Sequence, residues 1–108
     1  MSYIEPSVHE LCKLCIQQTL LALLEFWTNG KQFPNTADLT IVGWSRLYVK
    51  KNKYLILSNI CLEEELIGNK VLTGVVRLLK QHNIPLCIEC PSPMLLEWCT
   101  RNGIPVLR

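Results

Sequence analysis

The chain has 108 residues, of which 49% are apolar, 19% charged and 7% aromatic. That is enough to bury one core and too few residues for two domains, so a single domain rather than a multidomain enzyme is expected. Eleven basic and nine acidic side chains leave a formal charge of +2, with no basic run beyond Lys50-Lys51, so neither nucleic acid nor an anionic membrane is an expected partner.

Ser7 followed by Glu10 forms a capping box after Pro6, and apolar residues recur at Val8, Leu11, Cys15, Leu20, Leu23, Leu24 and Trp27. This pattern predicts a long amphipathic helix. Lys13, Gln17, Gln18, Thr19 and Glu25 make the stretch too polar to span a bilayer, and without a secretory leader ahead of it the expected location is cytoplasmic. Asn29-Gly30 supplies a left-handed stop, and Gln32 to Asp38, containing Pro34 and Asn35, reads as a polar connection. Leu39 to Gly43 is a short β-rich run with a bend at the glycine, and Arg46 to Lys50 alternates with period two. Lys51-Asn52 predicts a hairpin turn into a strand over Tyr54 to Cys61, which has Leu55, Leu57 and Asn59 opposite Tyr54, Ile56 and Ile60.

Beyond the acidic triplet Glu63-Glu64-Glu65 and Gly68, the period becomes helical. Val71, Leu72, Val75, Leu78 and Leu79 mark one face of a helix ending near His82-Asn83. Pro85 to Cys90 reads as a buried strand. Ser92-Pro93 caps and opens another helix through Leu95, Leu96, Trp98 and Cys99, Gly103 ends it, and Ile104 to Leu107 is a terminal strand. The order gives an α/β fold in a mixed sheet, with a strand–helix–strand crossover from Tyr54 to Cys90 whose parallel strands offer a ligand site at their C-terminal ends.

Six cysteines, Cys12, Cys15, Cys61, Cys87, Cys90 and Cys99, admit a disulfide framework, a metal site or reduced core thiols. The lack of an export signal argues against disulfides. Cys12 with Cys15 and Cys87 with Cys90 match zinc-ligand spacing, but the first pair lies in a helical pattern. The second lies on a strand, where positions three apart face opposite sides. Small buried hydrophobes are the expected role, and no metal site is expected. His9 and His82 lie near helix ends, where His82 suits the dipole. Trp27, Trp44 and Trp98 read as core or interface anchors.

One set of spacings is more specific. Ile60 closes a strand, Glu65 follows five positions later, and Gly68 and Lys70 precede a helix; downstream stand Ser92, Cys99 and Gly103-Ile104. From Leu11 to Leu107 this order resembles the GNAT acetyltransferase family, without its usual first strand. In that family the strand-end apolar residue is followed by Arg or Gln and then x-x-Gly-x-Gly/Ala. Further on come an Asn, a Tyr and Gly-Phe. Here the spacing is kept and the chemistry is changed. The resemblance implies a sheet splayed between the strands ending at Cys61 and Cys90, with acetyl-CoA between them. Its cofactor-binding residues would be Ile60, Leu62, Glu65, Gly68, Asn69, Lys70 and Val71, with Cys99 in the place of the proton-donating tyrosine. Glu89, on the parallel strand, is a candidate base.

A glycine turn opening a helix exposes backbone N–H groups at a positive dipole end, a cradle for pyrophosphate. Glu65 opposes this, since like charges ~4 Å apart at an effective dielectric near 20 cost about 4 kcal/mol, whereas the Lys70 ammonium favours it. The expected activity is N-acetyl transfer to an amine, and a homodimer is left open. The alternative is a GNAT-like domain without catalysis, a small regulator of the kind a phage or mobile element encodes, binding a protein partner. A third reading is a STAS-like regulatory domain, since Tyr54 to Gly103 echoes its strand, helix, strand and Pro-Ser-Pro helix order. Asn69 then stands at the start of the middle helix where that family places a phosphorylatable residue, with Thr73 a turn later.

Overall fold

The computed structural model describes residues 7–29 and 35–108. Helix α1 (Val8–Thr28) opens on Ser7, whose hydroxyl accepts the Glu10 amide at 3.2 Å. Its buried face is Cys12, Cys15, Thr19, Leu23 and Phe26, one residue per turn of helix. The stripe is rotated from the expected one, leaving Val8 exposed and Leu20, Leu24 and Trp27 half-buried. Thr19 joins the core because its hydroxyl donates to the Cys15 carbonyl at 2.6 Å and accepts the Trp44 indole N–H at 2.7 Å, so no polar atom is stranded. The expected left-handed stop is not at Asn29, which has φ −89°; Gly30 and residues 32–34 of the expected connection lie outside the described residues. Lys51 holds the helix end instead, donating to the Phe26 carbonyl at 3.0 Å and lying 5.3 Å over that ring.

A mixed sheet follows, in the order β1 (Thr36–Asp38), β2 (Trp44–Lys51), β3 (Leu55–Leu62), β4 (Leu86–Glu89) and β5 (Val106–Leu107). The first three are antiparallel and the last three parallel. β1 lies within the expected polar connection rather than at Leu39 to Gly43. An edge strand tolerates polar, exposed side chains, whereas 39–43 turns inward on Ile41 and reverses at Gly43, φ +91°. The β2–β3 turn is closed by Asn52, whose side-chain oxygen accepts the Tyr54 amide at 3.0 Å.

The crossover helix α2 (Val71–Gln81) returns the chain to β4 beside β3, and α3 (Pro93–Asn102) leads to β5. Ser92 caps α3 through the Leu95 amide and Gly103 ends it at φ +65°, both as the sequence predicts. Leu47, Val49, Leu55, Leu57, Leu86 and Ile88 form one core with the buried residues of all three helices. Strand alternation therefore puts the helices on one face and Tyr48, Lys50, Ile56, Ser58, Cys87 and Glu89 on the other. The chain is an α/β fold with a five-stranded mixed sheet.

Candidate functional site

β3 and β4 pair only from Leu55 opposite Leu86 to Leu57 opposite Ile88. Beyond that point β3 runs on against β2 alone, through a register shift between Ser58 and Cys61 that contains Asn59 at φ +49°. β4 stops at Glu89, and Cys90 turns away at φ +47°. The strands thus part at their C-terminal ends, and a cleft of about 440 Å³ opens there.

Trp44, Ile60, Leu62 and Leu66 line the cleft from the sheet side, the start of α2 contributes Val71, Leu72 and Thr73, and α3 contributes Met94, Leu95 and Trp98. Trp44 is fixed by its bond to Thr19, and the residue before it, Gly43, lies against Cys15 and Leu66. Burial pushes the Cys15 thiol above its ordinary range, the Thr19 hydroxyl opposing the shift.

The mouth of the cleft is the start of α2. Lys70 occupies its N-cap in the left-handed region, φ +60°, with no side-chain cap, so among the described residues no side chain caps the first-turn amides. Gly68, at φ +85°, turns the chain into this position, and Asn69 braces the turn from behind, its amide reaching the Glu65 and Ile67 carbonyls at 3.5 and 3.4 Å. Of the expected cofactor residues, Ile60, Leu62, Gly68, Lys70 and Val71 come together on the cleft; Glu65 and Asn69 are exposed and do not line it. The Glu65 carboxylate, on the short 3-10 turn Glu64–Leu66, is therefore not among the groups facing the cleft. Trp44, Ile67, Met94 and Trp98, outside the expected set, also line it. The available signal was that helices opening after parallel strands bring their first turns over the strand ends.

A second cavity of about 280 Å³ fills the gap between the strands, lined by Asn59, Ile88, Glu89, Cys90 and Pro91 and sharing Ile60, Ser92 and Leu95 with the cleft. Both Glu89 oxygens accept the Lys50 ammonium at 2.8 Å, and the Ser58 hydroxyl donates to Oε1 at 3.2 Å. Lys50 first, and then Ser58, hold the carboxyl below its ordinary value, while Glu89 pushes Lys50 up.

Cys99 does not reach either cavity. It is fully buried in the core beneath α3, where desolvation raises its thiol pKa, with Cys87 adding to the effect. Four residues after Leu95, it shares that residue's helix face but lies one turn deeper. This position corrects the expectation that Cys99 faces a reacting group. All six cysteines are free, and Cys87 is buried where Cys90 is exposed. Among the described residues no cluster of His, Cys, Asp or Glu is arranged to hold a metal ion, and no helix is long and apolar enough to cross a membrane. Comparison with protein-family models, curated proteins and solved structures finds no match to this chain.

Proposed function

We propose that this chain is a small GNAT-like acyltransferase that binds acetyl-CoA along the cleft and transfers its acetyl group to an amine. The observation that carries this reading is the parting of β3 and β4 after Leu57 and Ile88, which opens an apolar cleft ending on an uncapped helix start. The residues fit the cofactor. The first amides of α2 and the Lys70 ammonium suit a pyrophosphate, and Trp44, Leu62, Leu95 and Trp98 suit a mostly apolar arm. When bound, the cofactor supplies an activated thioester carbonyl. An amine reacting with that carbonyl would displace the thiol and lose a proton, for which Glu89, lining the adjoining gap, would be the base. Cys99, buried in the core, would not supply a proton to the thiol.

Thermal melting with acetyl-CoA tests this. Saturation to about 100 times Kd adds about 2.7 kcal/mol to the folded state, which raises Tm on the order of 10 °C for a domain of this size. Lys70→Glu, at an exposed position, removes most of the rise. No change in Tm at millimolar acetyl-CoA overturns the proposal.

A second reading, a non-catalytic domain that binds a protein, is favoured by one feature of the cleft. Among the described residues Lys70 is the only titratable one lining it, and Ile67 and Met94 on its rim are 63% and 84% exposed. Native mass spectrometry separates the two: copurified CoA removes this second reading.

A further inference from the structure

Past the mouth of the cleft the surface continues as a groove between α2 and α3. The two spaces meet at Thr73 and Trp98, which line both, and from there the groove, of about 250 Å³, is bordered by Arg77, Lys80 and Asn102. Thr73, Arg77 and Lys80 stand at i, i+4 and i+7 of α2 and so share one face of that helix. We propose that cleft and groove together dock an acidic segment of a protein partner, an apolar side chain entering the cleft and carboxylates following along α2. The acidic partner rests on the protein-binding reading above and names its chemistry.

Charge selects the occupant. Among the described residues, Lys70, Arg77 and Lys80 are the only charged side chains lining the two spaces, and none of them makes an ion pair. All three are exposed, so their charge is available to a ligand. Glu65 before α2 and Glu97 on α3 are exposed as well but line neither space.

Length narrows the choice further. From Lys70 to Lys80 the helix rises about 15 Å, more than one phosphate or carboxylate group spans and close to the reach of about five extended residues. At the head of this row of cations the cleft is walled by Trp44, Leu62, Leu66 and Leu95, with Ile67 and Met94 exposed on its rim, which suits a Leu or Phe side chain as the anchor. A polynucleotide is the other extended polyanion, but a formal charge of +2 gives it little hold and the aliphatic walls offer its bases no hydrogen bond.

The test is an NMR titration of the full chain by three synthetic peptides blocked at both ends. The first is Gly-Glu-Glu-Asp-Leu-Phe-Asp-Glu-Glu-Gly, whose acidic residues flank the apolar pair on both sides and so serve either chain direction. The second has Lys for every acidic residue, and the third has Ser-Ser for Leu-Phe. The first is expected to shift the Thr73 and Arg77 amides and the Trp98 indole, and to bind about tenfold more tightly than either control. Arg77→Glu, at an exposed position, should weaken it about tenfold and Lys80→Gln by less, while both variants keep the wild-type spectrum away from the groove. No shifts with the acidic peptide, shifts confined to other residues, or binding indifferent to Arg77→Glu overturn the proposal. Equal binding of the lysine peptide overturns the acidic partner and leaves the protein-binding reading standing on the cleft alone; equal binding of the serine peptide overturns the apolar anchor. Oligothymidylate binding in the groove as tightly as the acidic peptide overturns the proposal in favour of nucleic acid. A response to acetyl-CoA with no response to any peptide overturns both this partner and the protein-binding reading.

Discussion

Gly43→Ala should destabilise the fold through the segment that supports the cleft. A Cβ at this position would lie 2.5 Å from the Cys15 sulfur and 2.6 Å from a Leu66 methyl, and the backbone sits at φ +91°. Left-handed backbone costs an L-residue roughly 1–2 kcal/mol, and forcing a methyl into a filled core costs roughly 1–3 kcal/mol. Together they give about 2–5 kcal/mol, or a fall in Tm on the order of 10–30 °C. The Gly43 carbonyl also accepts the Glu63 amide at 2.8 Å, so the strain reaches the turn leading into Gly68. Guanidinium unfolding of the single variant and of Cys15→Ala/Gly43→Ala separates the two causes. Removing the sulfur relieves the contact with Cys15 but neither the one with Leu66 nor the backbone strain, so the double variant should lose less than the sum of the singles. A Gly43→Ala variant within about 0.5 kcal/mol of wild type, below the ordinary range for a disruptive core change, would refute the packing argument.

Trp44→Phe removes the donor to Thr19 and leaves a space beside it, which should cost about 1–3 kcal/mol in urea unfolding; an unchanged midpoint would mean the indole bond is idle. Lys70→Gly should stabilise the apo protein by roughly 1 kcal/mol, since glycine adopts φ +60° without strain, yet it should weaken the response to acetyl-CoA; a melting scan with and without ligand checks both signs. The Lys50–Glu89 pair should make stability depend on pH in a defined sense. Glu89 titrates lower in the folded chain than its ordinary 4.5, so its contribution is full above that value and is lost as pH falls through the depressed folded one. Lys50 titrates above 10.5, so its contribution is full below that value and is lost as pH rises through the raised one. The stability difference between wild type and Lys50→Gln should therefore be constant near neutrality and shrink on acidification below 4.5; a difference that persists in acid would show that the pair is not its source.

Local chemistry made much of this architecture readable. Ser7, Ser92-Pro93 and Gly103 each act within one turn of helix, so their roles follow from neighbours in the chain. The change from period two to helical period after Gly68 similarly identifies the crossover and puts a ligand site at the ends of β3 and β4. Thr36–Asp38 was not readable as a strand because it has no apolar alternation; its pairing with Tyr48 to Lys50 is a tertiary fact. Thr19 reads as a polar interruption of a helix, and only the Trp44 indole, twenty-five residues away, makes its burial favourable. The same limit applies to Cys99, whose spacing from Ser92 is correct for the resemblance while its direction depends on how α3 packs.

The least readable feature is also the one that builds the cleft. On β3, Leu55 and Leu57 face the helices, so unbroken alternation would put Ile60 and Leu62 on the opposite face, with Ile56 and Ser58. The extra residue between Ser58 and Cys61 reverses that parity, because a shift of one residue exchanges the two faces of a strand. A compensating shift between Trp44 and Arg46 keeps β2 in step and brings Trp44 opposite Leu62. The result is that Trp44, Ile60 and Leu62 all line the cleft. The bulge at Asn59 thus serves two ends: it draws β3 away from β4 and supplies the apolar wall of the space this creates. Neither Asn59 nor Cys90 is glycine, yet both hold left-handed backbone where the strands separate. Such conformations cost about 1–3 kcal/mol each and persist only where the surrounding structure imposes them. Their occurrence at the two lips of one gap is what a fold would show if separation of β3 and β4 were the property being maintained.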